Sequence, residues 1–156
     1  MIYYALSRWD KRNADLREVL EKKNVEWLIN CSYKDLVKLV FDVIFKDSGI
    51  TDITFDTENI TEIDNGDYQG TLLYLIPFDT YQPDESEYLM TYVGYGSCSG
   101  CDTLQGIQSS IDENDKQIND FMTLCRDIVS HIIRPYNTGW REDAIFNTVR
   151  EEKKND

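Results

Sequence analysis

The sequence predicts an α+β domain, a three-stranded antiparallel meander with N- and C-terminal helices packed on one face. Three observations predict it. Apolar residues recur at helical spacing in the first and last thirds of the chain, while the middle holds short runs rich in Thr, Tyr, Ile, Leu and Val. The turns between those middle runs are short, which favours sequential antiparallel pairing over crossover connections. The length of 156 residues suits one domain able to bury a core without disulfide or metal staples. The expected layout is a single domain over 1–156, in the order ααβββαα. It has helices over about 13–48, a sheet over about 52–95, a Cys-x-x-Cys loop at 96–102 and helices over about 113–150.

The first helix is expected to start at Asn13 as its cap, with Leu16, Val19 and Leu20 on one face and Glu18 supporting Lys22 four residues on. Ser32 followed by Asp35 has the spacing of a capping box with a shorter acid. Leu36, Leu39, Val40, Val43 and Ile44 then follow at helical spacing, and Gly49 is placed to end the helix. Ile53-Thr54-Phe55 opens the first strand. Asp64-Asn65-Gly66-Asp67 reads as a tight hairpin turn, because Asn-Gly tolerates positive φ. Thr71–Ile76 is the return strand, apolar enough to be buried on both faces, and Pro77 ends its regular pairing. A turn at Tyr81-Gln82-Pro83-Asp84 leads to a third strand over Tyr88–Val93. Thr103–Ile111 is helix-like. Ile118, Phe121, Met122, Cys125, Ile128, Val129 and Ile132 form an apolar stripe that Pro135 stops, and Trp140, Ile145 and Val149 suggest a short final helix.

Composition is that of an ordinary globular domain, 41% hydrophobic and 29% charged, but the formal net charge is −13. The charge is unevenly placed. Residues 47–115 carry fifteen Asp or Glu and no Lys or Arg, whereas the two flanks are nearly balanced. Direct nucleic-acid binding and attraction to anionic membranes both need clustered basic residues, so both are disfavoured. A basic protein surface or a divalent cation would be attracted. No apolar run reaches the roughly 20 residues that span a bilayer, and Met1–Arg8 lacks the features of a signal peptide. The expectation is a cytoplasmic protein whose four cysteines are reduced thiols.

Two constellations carry chemistry. Asp52, Asp56, Glu58, Glu62 and Asp64 all occupy even positions, so in one unbulged strand they project from a single face, with Ile53, Phe55 and Ile63 on the other. Carboxylates two apart then stand roughly 6.7 Å apart, a row that imitates the regular charge of a nucleic-acid backbone. The bland alternative is a solvated outer face, although such a face normally mixes both signs. The second constellation is Cys98-Ser99-Gly100-Cys101, placed between a strand and a helix-like stretch. Such a pair can be redox-active, hold zinc, or form a tight loop of small residues. The β-meander around it departs from the βαβ order of thioredoxin-like proteins. Zinc would need further ligands from Cys31, Cys125 and His131, of which Cys125 lies in the apolar stripe and His131 faces away from it. The glycines 94, 96 and 100 lack the Gly-Lys-Ser/Thr of a phosphate-binding loop, no Asp-x-Asp-x-Asp-Gly calcium loop is present, and one histidine gives no support for a Ser-His-Asp nucleophile.

The segments Gly66-Asp67-Tyr68-Gln69-Gly70-Thr71 and Tyr95-Gly96-Ser97-Cys98-Ser99-Gly100-Cys101-Asp102-Thr103-Leu104 resemble a pair of motifs in small uncharacterised proteins encoded by bacteriophages. The resemblance covers about the central third of the chain and brings no established activity. It implies an accessory protein that works by binding a host macromolecule. The leading expectation is therefore a non-enzymatic binding protein without cofactor, an inhibitor occupying a basic nucleic-acid-binding surface of a host protein. The alternatives are a Cys-x-x-Cys redox or zinc protein and a virion structural or assembly component.

Overall fold

A computed structural model describes residues 1–50, 52–67, 69–110 and 114–135. Its first helix, α1 (Ile2–Glu21), begins eleven residues before the expected cap at Asn13. Tyr4, Ala5 and Trp9 are buried together with Leu16 and Leu20, so aromatic residues extend the apolar face back to the chain start. Asn13 sits inside the helix, where its Nδ2 donates to the Trp9 carbonyl at 2.9 Å. Such back-bonding is the usual fate of an Asn caught in mid-helix. A short helix absent from the expected layout follows, α2 (Val25–Asn30), capped by Asn24, whose side chain accepts from the Trp27 amide.

The capping box is present as expected at the start of α3 (Tyr33–Val43). Ser32 Oγ accepts from the Asp35 amide at 3.1 Å, and Asp35 Oδ2 accepts from the Ser32 amide at 2.9 Å. Leu36, Val37, Val40 and Phe41 bury its apolar face. Gly49 does not end this helix, which stops at Val43. Its φ of +72° instead turns the chain beneath Arg8, where a Cβ would lie 3.1 Å from the Arg8 Nη1.

The sheet is the expected meander, in the order β1-β2-β3, antiparallel throughout: β1 (Thr61–Gly66), β2 (Gly70–Pro77) and β3 (Tyr88–Tyr95). Pro77 is the last paired residue of β2, as its missing N–H requires. Two placements differ. Ile53-Thr54-Phe55 forms no strand; Phe55 makes a single bridge to Phe78. Its ring packs edge-on against Phe41, Phe45 and Phe78. Two backbone hydrogen bonds flank the bridge, from the Asp56 amide to the Pro77 carbonyl at 2.9 Å and from the Asp79 amide to the Thr54 carbonyl at 2.8 Å. The segment is thus pinned beside the end of β2 without becoming a strand. The hairpin also turns beyond Asn65-Gly66, since both residues belong to β1 and Gly66 pairs with Gly70. Neither glycine has positive φ. Gly66 is required by close approach, because a Cβ there would collide with the Gln69 carbonyl oxygen.

The helices cover one sheet face, where Tyr74, Ile76, Leu89, Thr91 and Val93 are buried. On the opposite face Ile63 and Tyr92 remain 44% and 37% exposed, so β2 is fully buried on one side only. The connection from β3 carries α4 (Thr103–Gln108) and then α5 (Asn114–Ser130), which buries Phe121, Met122, Cys125, Ile128 and Val129 and packs along α1. The helix ends before Pro135: Ile133 leaves it to bridge Met90 on β3. Among the described residues no helix is long and apolar enough to cross a membrane. The final helix expected around Trp140, Ile145 and Val149 lies outside the described residues.

Candidate functional site

The five carboxylates expected in one row do not share a strand. Asp52 adopts φ +66°, a turn conformation that breaks any extended run. Asp56 caps the 3-10 turn Thr57–Asn59, its Oδ1 accepting from the Glu58 amide at 3.1 Å and its Oδ2 from Asn59 Nδ2 at 2.6 Å. Glu58 lies within that turn and ion-pairs with Lys38 Nζ of α3 at 3.1 Å, a partner distant in sequence. Only Glu62 and Asp64 are on β1.

These two point opposite to expectation. Glu62 pairs in register with Tyr74 and Asp64 with Leu72, and directly paired residues share a sheet face. Both carboxylates therefore stand on the helix-covered face, while Ile63 takes the open one. The arrangement is tolerated because β1 is an edge strand that the helices do not fully cover, so both acids remain exposed. Each is held by a tyrosine from the sheet: the Tyr74 hydroxyl donates to Glu62 Oε2 at 2.8 Å and the Tyr95 hydroxyl to Asp64 Oδ1 at 2.6 Å. Burial, then the Glu62 carboxylate, raises the Tyr74 phenol far above its ordinary range. The hydrogen bond to Asp64 raises Tyr95 to about 12.

Glu62 and Asp64 line a cleft of about 360 Å³ between the β1 side of the sheet, the start of α3 and the loop into α4. Asp102 also lines it, buried. Its Oδ1 accepts from the Tyr33 hydroxyl at 2.9 Å and the Gly96 amide at 3.0 Å, and its Oδ2 from the Gln105 amide at 2.8 Å, which caps α4. The Tyr33 oxygen in turn accepts from the Leu104 amide at 3.1 Å. The Tyr33 phenol is raised by burial in the first place, with the Leu104 amide opposing and Asp102 adding to the rise. Leu72 and Leu104 supply apolar surface, and no Lys or Arg is among the described residues lining the cleft. Asp102 has its hydrogen bonds met from within. Glu62 and Asp64 each keep one carboxylate oxygen that accepts no hydrogen bond among the described residues, and those two atoms can receive a cationic donor.

Cys98 and Cys101 lie on the same loop, both exposed and unbridged, whereas Cys31 and Cys125 are buried. The Cys98 amide donates to Cys101 Sγ at 2.9 Å. Hydrogen bonds from the Cys98 side chain, and from the backbone of Cys98 and Ser97, lower the Cys101 thiol below its ordinary range. Burial instead pushes Cys31 up to about 11 and Cys125 up to about 12. Among the described residues no three His, Cys, Asp or Glu side chains gather as a metal site. His131 stacks on Tyr92 with ring centroids 4.3 Å apart, and its Nδ1 lies 3.0 Å from the Tyr92 carbonyl oxygen.

Sequence reasoning missed Tyr33, Tyr74, Tyr95 and Asp102. Asp102 had a local signal, an Asp immediately before a helix-like stretch. The tyrosines had none, because their partners lie 69, 12 and 31 residues away. No family model, curated protein or solved structure matches the chain.

Proposed function

We propose that the protein is a non-enzymatic binding protein whose acidic cleft receives a basic side chain from a partner protein. The observation that carries this reading is the pair Glu62 and Asp64, each anchored through one oxygen by a tyrosine and open at the other, in a cleft without a neighbouring Lys or Arg among the described residues. Fixed carboxylates lose little freedom on binding, and the planar guanidinium of arginine matches paired carboxylate oxygens better than a lysine ammonium does. The 69 residues without a basic side chain extend the negative field beyond the cleft and steer a basic surface toward it. The resemblance of segments 66–71 and 95–104 to phage-encoded proteins supports a host protein as that partner. Its nucleic-acid-binding surface would be the one blocked.

The test uses an arginine-rich peptide, with a lysine-rich peptide of equal charge for comparison. The Glu62→Gln/Asp64→Asn double variant keeps shape and tyrosine acceptors while removing two charges. It is expected to bind the arginine peptide at least about tenfold more weakly, equivalent to about 1.4 kcal/mol. Asp79→Asn/Glu85→Gln, an equal neutralisation on exposed residues outside the cleft, should bind nearly as well as the parent. Equal affinity of both double variants across low and moderate salt refutes the reading. In affinity capture from a bacterial lysate, retention of a nucleic-acid-binding protein that added nucleic acid displaces supports inhibition. Retention of a particle protein supports the assembly role instead.

A further inference from the structure

We propose that Cys98 and Cys101 form a thiol–disulfide exchange site in which Cys101 attacks and Cys98 resolves, with a cationic disulfide as the favoured substrate. The argument is independent of the binding role given to the cleft. It starts from the loop. The Cys101 and Asp102 amides both donate to the Cys98 carbonyl, at 3.1 and 2.8 Å, folding residues 98–102 into a tight turn. That turn brings the Cys98 amide to 2.9 Å from the Cys101 sulfur, with Ser97 Oγ at 3.9 Å. The Cys98 amide is thus a close donor to this sulfur and favours its thiolate, while the protonated thiol donates to the Cys98 carbonyl oxygen at 3.3 Å, a bond given up on ionisation. The glycine at 96 is part of the construction, since a Cβ would stand 2.5 Å from the Cys101 carbonyl oxygen and 3.0 Å from its sulfur. Both thiols are exposed, so a substrate reaches them directly.

The lowered pKa of Cys101 agrees with this geometry. The other two cysteines cannot compete. They are buried, and burial raises both thiols. Charge sets the substrate class: the loop lies within the stretch that has no Lys or Arg, and Asp102 adjoins the attacking residue. An anionic disulfide is repelled there and a cationic one attracted.

The exchange balances as follows. The Cys101 thiolate attacks one sulfur of the substrate disulfide, whose S–S bond breaks as the new mixed disulfide forms. The departing thiolate takes a proton from water. Cys98 then loses its proton to solvent and attacks the Cys101 sulfur, closing the Cys98–Cys101 disulfide and releasing the second thiol. The protein is oxidised by two electrons, and the substrate disulfide is reduced to two thiols.

Cystamine is the cationic probe and glutathione disulfide the anionic comparison, each added to the full chain near neutral pH and followed by peptide mass mapping. The parent is expected to lose two hydrogens between Cys98 and Cys101 with no lasting adduct, and dithiothreitol should restore it. Cys98→Ser should accumulate a stable cysteamine adduct on Cys101. Cys101→Ser should acquire one on Cys98 at least about twofold more slowly, because the amide donor that faces Cys101 Sγ has no counterpart at Cys98 Sγ among the described residues. Cystamine should outpace glutathione disulfide at low salt, with the gap narrowing as salt rises. In the parent, the site of the earliest adduct gives the same answer without a variant. An earliest adduct on Cys98, a persistent adduct without closure, or thiols blocked by a co-purified metal overturns the exchange site. Equal rates for the two probes at low salt overturn its substrate class.

Discussion

Replacing Asp102 with Ala tests whether one carboxylate holds the cleft wall together. The substitution removes the acceptor for three donors at once: the Tyr33 hydroxyl, the Gly96 amide and the Gln105 amide. The first two are buried, so they lose their partner without an immediate replacement, while the third is the helix cap of α4. A hydrogen bond to a charged group contributes about 1.5–3 kcal/mol, and loss of an N-cap costs about 1. The three bonds share one acceptor, so they do not add fully, and a loss of about 3–5 kcal/mol is expected. That is a large fraction of the 5–15 kcal/mol by which such domains are stable. Asp102→Asn keeps an oxygen for Tyr33 and Gly96 but turns an amino group toward the Gln105 amide, so about 1–2 kcal/mol should be lost. Tyr33→Phe leaves the Leu104 amide without its acceptor and should cost about 1–3 kcal/mol. In a double-mutant cycle, Tyr33→Phe with Asp102→Ala should fall short of additivity by about 1 kcal/mol. Urea unfolding with an unchanged m-value measures all four. Asp102→Ala within about 1 kcal/mol of the parent, or strict additivity, would refute the shared network.

Gly66→Ala should destabilise the hairpin by about 1–3 kcal/mol through overpacking against the Gln69 carbonyl; an unchanged urea midpoint would show that the β1–β2 turn has room for a side chain. Tyr95 carries a raised pKa, so its contribution is complete below the usual tyrosine value of 10.0 and is lost as pH rises through about 12. Tyr95→Phe should therefore flatten the alkaline fall in stability over that window, and absorbance titration of the parent should show a phenol ionising late; identical alkaline limbs would contradict the Asp64 contact. Asp84 is held low by the Ser86 hydroxyl and backbone amide, so its contribution is present above the ordinary carboxylate range and disappears as pH falls through its lowered value. Asp84→Asn should make the acid limb of stability less steep below about pH 4, and the comparison of urea midpoints at several acidic pH values decides it.

The sequence by itself determined whatever depends on neighbours within a few residues. The Ser32/Asp35 capping box, the apolar stripe of α5, the halt of β2 at Pro77 and the three-strand meander are all local in this sense. Errors arose where a local signal met a stronger distant one. Asn13 is a good cap residue, yet Tyr4 and Trp9 gain more by extending α1 into the core. Ile53-Thr54-Phe55 has strand composition, yet Phe55 is claimed by the aromatic cluster with Phe41, Phe45 and Phe78. The candidate site was legible as charge and as a Cys-x-x-Cys spacing, but not as geometry. Alternation placed Glu62 and Asp64 on one face, and only the register with Tyr74 and Leu72 decided which face that was. A one-residue shift of pairing would have turned both carboxylates outward. The cleft itself joins α3, the sheet and the α4 loop, through contacts such as Tyr33 to Asp102 across 69 residues. Local sequence patterns carry no record of such pairings, because it is the packing of the whole core that brings those residues within hydrogen-bonding distance.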